Sequence, residues 1–456
     1  MESNGEADAK RPKHGVLVTD RNTEQNDNKI LPQFMEWMNK EQLIISDKVL
    51  MTKTGSCARY GLLAKDDIKK EEVLFSVPRT SLLWEENCSI STHLASLQQN
   101  LNGSGWVKLI LALMFEYKNP SSRWRPYMNF VPPTTCVDQP MFWSKIQKDS
   151  LLKGTGLSKA VDQDLLSIET EFNEIALPFI KEHTWLGFNE KIHNLDLYKH
   201  MVAFVMAYSF TEPQEDGNTS PPVMVPLADV LNHIAKNNAQ LEFEETCLSM
   251  IAVKDIKCGE EIFNTYGQLS NNQLLHMYGF VEKFPNNIYD TVEVPLSTIY
   301  SVIRRETNSW PCFEEKVKWL ADERNLDSCY PLAVGLSGIL SYAEFKLLFK
   351  ILPMEETQFM DYKENDDEWD TDDSDENSDQ DENEFDVLSF SRIPKLLNLK
   401  ERRLLENVAQ HLLNSYHSTM LEKDTGSRES RAHTLVSGQC KILETLIINL
   451  SCTDKS

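Results

Sequence analysis

The sequence lacks any run apolar enough to cross a membrane. Its longest candidates, Leu109 to Phe115 and Met201 to Phe210, fall well short of the roughly 18 residues a span needs. No membrane association is expected. The polar N-terminus carries no signal-peptide pattern, so no secretory route is expected. Nine cysteines are scattered without a CxxC pair, which suggests neither a disulfide framework nor a zinc cluster. A reducing intracellular setting is the simplest reading, and no metal site is expected. Excess positive charge is also missing, and no direct nucleic-acid binding is expected.

The net charge of −24 over 456 residues is concentrated in one place. Asp361 to Asp386 holds 15 acidic residues and one lysine, a net of −14 that leaves −10 for the rest. Such a run cannot bury enough apolar surface to fold, so 361–386 reads as a disordered acidic loop. A solubilising linker is the favoured role; an electrostatic lure for a basic substrate is the alternative. Residues 1–30 are polar and aperiodic and are expected to be disordered. They include the basic cluster Lys10-Arg11-Pro12-Lys13-His14, a pattern that nuclear import machinery reads. Order is expected from an amphipathic helix near Pro32 to Met38.

Periodicity divides the remainder. Short strands are expected around Arg59 to Ala64 and Val73 to Pro78, in a first segment at 31–90. Helical spacing follows at 91–222, with helices at Trp106 to Phe115, Ala160 to Glu182 and Leu195 to Phe210. Residues 223–285 return to short strands: Leu241 and Phe243 alternate, as do Leu248, Met250 and Ala252, and a turn at Lys257 to Glu261 precedes Ile262-Phe263. Helices then fill 286–456, at Ser297 to Arg305, Phe313 to Arg324, Tyr342 to Leu352, Leu397 to Leu421 and Thr434 to Leu450. An α+β architecture follows.

The second strand-rich segment holds a high density of polar groups beside apolar ones: Asp229, Asn232, His233, Asn264, Tyr266, His276 and Tyr278. Polar side chains near a core need partners or a ligand. A site is expected there. Asn232-His233, Gly259-Glu260-Glu261-Ile262, Asn264-Thr265-Tyr266-Gly267 and Tyr278-Gly279-Phe280, in this order, resemble the C-terminal half of a SET domain. The SET family consists of protein-lysine methyltransferases that use S-adenosylmethionine. With the upstream segments, the chain is most similar to the Rubisco-methyltransferase-like branch, from about Phe34 to the C-terminus. That resemblance implies a β-rich SET core split by a helical insertion and followed by an all-α substrate-binding domain.

It also implies roles for individual residues. Tyr266 is implied as the catalytic tyrosine. Ala58, Arg59, Tyr60, Tyr208, Asn232, His233 and Tyr278 are implied as cofactor contacts, and Trp106, Ser209, Thr211 and His276 border the substrate lysine. The turn Arg59-Tyr60-Gly61 departs from the family's GxG, since its first glycine is absent, and Thr211 stands where relatives have glutamine. Read from the residues alone, Trp106 is equally a core tryptophan, and the spacing of Leu197, Met201, Val205 and Tyr208 puts Tyr208 on an apolar face. His233 is given no proton-transfer role, and Asp229 no catalytic one.

Methyl transfer from a sulfonium to an amine is an in-line displacement. It needs a neutral amine, alignment with the methyl carbon and a channel that excludes water, and it needs neither metal nor protein nucleophile. Alignment in a closed site is worth about 7–11 kcal/mol at best. Lysine ionises near pH 10.4 in water, so the site must favour the uncharged amine, partly by desolvation. Mono-methylation of nuclear, transcription-related proteins is the implied activity, with RelA-type transcription factors and histone tails as partners and the nucleus, with the cytoplasm, as location. Two rivals stand beside it: an inert SET-like module that holds a lysine peptide, and an acidic chaperone of basic proteins.

Overall fold

A computed structural model describes residues 21–53, 55, 60–97, 105–133, 137–214, 218–305, 310–364, 387–417 and 427–451. The basic cluster at 10–14, Ala58, Arg59 and the acidic stretch from 365 to 386 lie outside the described residues.

The first strands are β1 (Ile44–Ile45), β2 (Val49–Thr52), β3 (Gly61–Ala64) and β4 (Val73–Pro78). After the insertion come β5 (Ser209–Phe210), β6 (Val223–Met224), β7 (Asn232–His233), β8 (Ala239–Phe243), β9 (Cys247–Ala252) and β10 (Glu261–Asn264). They form two four-stranded sheets, ordered β1-β4-β9-β8 and β2-β3-β10-β7, with β5 and β6 as a separate pair. Each large sheet joins strands from before and after the insertion, so neither segment can complete a sheet without the other. The expected hairpin of Leu241/Phe243 against Leu248/Met250 is present, with Leu241 opposite Met250. The two early strands are present but do not pair with each other. Gly61–Ala64 bonds to β2 and β10, and Val73–Pro78 bonds to β1 and β9, in the other sheet. Local alternation marks a strand but not its partner, which is chosen by long-range register.

The helices are α1 (Arg21–Lys40), α2 (Val107–Lys118), α3 (Leu157–Glu171), α4 (Leu195–Tyr208) and α5 (Asn271–Tyr278), then α6 (Leu296–Arg305), α7 (Phe313–Arg324), α8 (Tyr342–Ile351), α9 (Glu356–Glu364), α10 (Leu399–His417) and α11 (Ser427–Ser451). Helix α1 starts at Arg21, inside the stretch expected to be disordered, and its buried face carries Phe34, Trp37 and Met38. The helix expected from Ala160 to Glu182 is α3 continued through a π-turn at Phe172–Ala176 into Leu177–Glu182. The first residues of the acidic stretch, Asp361 to Glu364, close α9.

Helix α2 is apolar on nearly all sides, with Leu109 to Met114 buried in succession. Such a helix needs cover all round, and α4, the short helix Arg125–Met128 and the π-turn pack on it within one core shared by the SET segments and the insertion. A second core belongs to the C-terminal unit. That unit is helical as expected. It also holds a sheet, β11 (Thr291–Pro295), β12 (Pro331–Gly335), β13 (Gly338–Ile339) and β14 (Leu388–Ser389), whose two-residue members are too short to show as period-two runs. A small third core joins the regions through Leu157 and Val161 of α3, Leu275 of α5, and Ala432 and Leu435 of α11.

Candidate active site

The site assembles where β7 lies parallel to β10, with Phe263 opposite Asn232 and Asn264 opposite His233. A 3-10 turn at Ala228–Val230 leads into β7, entered from Leu227 at φ +78°, a left-handed conformation that a buried leucine adopts only under constraint. Asn232 and His233 are both buried. The Asn232 amide donates to the Tyr60 carbonyl at 3.0 Å and to Glu261 Oε1 at 2.7 Å. Both donors are thereby committed to tying β7 to the turn before β3 and to β10. Gly61 opens β3 just after that turn, and a Cβ there would meet Glu261 Oε1 at 2.8 Å and Asn232 Nδ2 at 3.1 Å, so glycine lets both side chains close on the backbone.

Tyr266 follows β10 on an irregular segment that returns over His233. Its backbone N–H donates to His233 Nδ1 at 3.0 Å, and its hydroxyl donates to the Leu231 carbonyl at 2.7 Å. The Tyr266 ring stacks on Tyr278 at 4.6 Å and on His233 at 5.0 Å, and meets Phe280 edge-on at 6.3 Å. Tyr278 ends α5, whose start is fixed by a Ser270/Gln273 capping box. Burial pushes the Tyr278 hydroxyl up to about 12, so it stays protonated at neutral pH.

Tyr60, Asn232, His233, Tyr266 and Tyr278 therefore form one connected group. The Tyr60 ring also lies 4.8 Å from Phe130, below which α1 packs. Tyr208 closes α4 with its ring 5.1 Å from Phe204, which in turn lies 6.4 Å from Tyr127. The Tyr127 hydroxyl donates to Asp229 Oδ2 at 2.5 Å, so this second aromatic group reaches the segment that carries Asn232. Burial pushes Asp229 up to about 7, opposed by the Tyr127 bond, and burial raises Tyr127 as well. Ser209 pairs with Met224 between β5 and β6, and Thr211 is exposed just beyond. Trp106 precedes α2, half-buried against the main core. His276 Nε2 lies 2.8 Å from Asp164 Oδ2 on α3.

Sequence reasoning passed over four participants. Glu261 lay inside a motif already singled out and Tyr127 within the helical insertion, but nothing local shows that one meets Asn232 and the other Asp229. Asn238 bridges β10 from the start of β8, donating to the Glu261 carbonyl and accepting from Phe263 N–H. Glu282 faces His233 from the loop after α5. A single glutamate in a loop carries no sequence signal.

This fold, with a tyrosine whose hydroxyl and ring are both fixed beside an Asn-His strand, defines the class of SET-domain protein-lysine methyltransferases. The family model described as SET domain matches residues 59–267. N-lysine methyltransferase setd6 of Danio rerio is 42% identical over 96% of this chain and 98% of its own length, and N-lysine methyltransferase SETD6 of Homo sapiens is 38% identical over 88% and 86%. The chain belongs to this family of N-lysine methyltransferases. Among solved structures, Rubisco LSMT bound to AdoMet has a TM-score of 0.58 at 20% identity, covering 92% of this chain and 91% of that one. The SET domain of LSMT bound to lysine and AdoHcy has a TM-score of 0.60 at 19% identity, covering 93% and 91%. At these identities the likeness is one of fold.

Proposed function

We propose that this chain transfers one methyl group from S-adenosylmethionine to a lysine side chain of nuclear, transcription-related proteins, with RelA-type transcription factors and histone tails as candidate substrates. The nucleus is the proposed location, with the cytoplasm as a second. The observation that carries the chemistry is the double anchoring of Tyr266. Because its hydroxyl hydrogen is directed at the Leu231 carbonyl, its oxygen can act toward an amine N–H only as an acceptor. Stacking between His233 and Tyr278 fixes the ring as a channel wall, so the amine is oriented without further ordering of the protein.

The residues suit the methyl donor on their own terms. The backbone around Tyr60 and Gly61 approaches β7 and β10 closely, and Asn232, with both amide hydrogens used, offers an incoming amino-acid group an acceptor in its side-chain carbonyl oxygen. Tyr60, Tyr208, Asn232, His233 and Tyr278 would hold it, together with backbone at 58–59. When bound, it supplies a methyl on an electrophilic sulfonium. Aromatic walls around Tyr266 exclude water and disfavour the charged ammonium, and the carbonyl and hydroxyl dipoles there accommodate the charge that appears on the nitrogen. Three rings crowding Tyr266 support a single methyl per lysine.

The test is transfer of labelled methyl groups from S-adenosylmethionine to proteins of a nuclear extract, beside Tyr266→Phe and Asn232→Ala. Label on lysines with wild type, collapsing in both variants, supports the enzyme, and mass spectrometry of the labelled bands reads substrate and methylation degree. Absence of both transfer and cofactor binding would overturn the reading in favour of an inert module.

A further inference from the structure

Behind the tyrosines His233 leads into a buried polar chain, and the chemistry above makes no use of the chain beyond that histidine. His233 accepts the Tyr266 backbone N–H at Nδ1. A ring nitrogen that accepts carries no proton, so the neutral imidazole holds its proton on Nε2. Nε2 lies 3.4 Å from Glu282 Oε1, close enough for electrostatic attraction though outside hydrogen-bond geometry, and that same oxygen accepts the Ala235 backbone N–H at 2.8 Å. The two side chains are 1% and 12% exposed, so bulk water is not their main neighbour.

Glu282 is itself held at both backbone groups. Its N–H donates to Asn271 Oδ1 at 2.9 Å, and its carbonyl accepts from Asn271 Nδ2 at 2.9 Å. Asn271 Nδ2 also donates to Asp290 Oδ2 at 2.8 Å. Beyond Asp290 stands α11, where a Cβ on Gly438 would lie 3.2 Å from the same Asp290 oxygen. Hydrogen bonds therefore link Asp290, close beside the C-terminal helix, to the loop that presents Glu282.

We propose that Glu282 is a positioning residue for Tyr266, acting through the tautomer of His233. The opposite tautomer would set two donors against each other, Nδ1–H and the Tyr266 N–H, and two acceptors, Nε2 and the Glu282 carboxylate. With Glu282 in place the Nε2–H form is selected, Nδ1 remains an acceptor, and the Tyr266 backbone is pinned. Its effect on turnover rests on the methyltransferase reading; its effect on the tautomer does not.

The experiment compares wild type, Glu282→Gln and Glu282→Ala by steady-state methyl transfer and by proton–nitrogen correlation spectra of histidine-labelled full-length protein, with His233→Asn assigning the signals. Glu282→Ala is expected to lower kcat about 10–100-fold, the size of effect typical when an orienting partner is lost, with little change in KM for the peptide. Glu282→Gln retains an acceptor oxygen and is expected to restore most of that loss. Spectra are expected to show Nε2–H on His233 in wild type and Glu282→Gln, and a tautomer mixture in Glu282→Ala. Should Glu282→Ala not fold, Glu282→Met, near in volume and without a strong acceptor, replaces it. An Nδ1–H form in wild type, an unchanged tautomer and kcat in the truncated variant, or a glutamine variant as slow as alanine would each overturn the proposal. If wild type transfers no methyl group at all, the methyltransferase reading fails while the spectra still decide the tautomer.

Discussion

Ten polar or charged side chains are buried between Asn232 and Asp290, against two, Lys316 and Gln439, among the described residues beyond Asp290. The two regions are of different kinds. In the C-terminal unit the buried surface is an ordinary apolar core, with Leu320, Leu348 and Leu443 at its centre, and its one buried cation has a structural job. Lys316 donates to the carbonyls of Leu352 and Met354 just beyond α8, while burial lowers its affinity for a proton. In the SET core most of the buried polar groups bond to one another or to backbone, as Asn232 does to Glu261, Asn238 to β10 and Asn271 to Asp290, and His233 among them meets Tyr266. Burying polar groups is expensive unless each finds a partner. A region that does so repeatedly is holding side chains in place, which a helical scaffold does not require.

The comparison can be broken by substitutions that separate activity from stability. Tyr266→Phe is expected to reduce kcat about 100–1000-fold, equivalent to about 3–4 kcal/mol of barrier, with a nearly unchanged melting curve. A comparable loss of stability without loss of kcat would reverse the assignment. Leu443→Ala, in the other core, is expected to destabilise by about 3 kcal/mol through lost transfer energy and a cavity. Denaturant titration reads that loss, while the folded fraction should retain normal turnover.

A pH experiment sharpens the contrast within the SET core. Asp229 holds its proton to about pH 7 in the folded protein, against about 3.9 when unfolded. Between those values the folded state binds the extra proton, so this group's contribution falls as pH rises from about 4 to 7. The exposed carboxylates paired with lysine, such as Asp67 with Lys257, act in the opposite direction below pH 4. Asp229→Asn is expected to remove the downward slope, by on the order of 1–2 kcal/mol once partial water access is allowed for. Unfolding curves from pH 4 to 8 that remain parallel to wild type would contradict this. The smallest effect is expected from Ser270→Ala, about 1 kcal/mol for one lost helix cap, together with a modest rise in KM for the cofactor because α5 carries Tyr278.

Much of this site was legible before any coordinates. Asn232-His233, Tyr266 and Tyr278 announce themselves because the chemistry depends on residue type at fixed local spacing, and β8, β9, α2 and α4 because burial imposes a period. Glu282 did not, since its importance comes from a 3.4 Å approach to a histidine 49 positions earlier in the chain. Nor did the partnerships of Asn232 with Glu261 or of Tyr127 with Asp229. Thr211 and His276, placed on the substrate side by resemblance, sit respectively at an exposed position just after β5 and in a contact with Asp164.

By itself, the amino-acid sequence determined the class of fold, the split of the β-rich core by helices, and the candidate side chains for the site. These are local properties: periodicity, turn chemistry and short motifs. Tertiary structure alone decided that Gly61–Ala64 and Val73–Pro78 enter different sheets, that a small sheet accompanies the C-terminal helices, and that His233 is held between Tyr266 and Glu282. Each of these is a contact between distant positions, selected by the register and packing of the whole chain, and no window of neighbouring residues contains the energy that selects it.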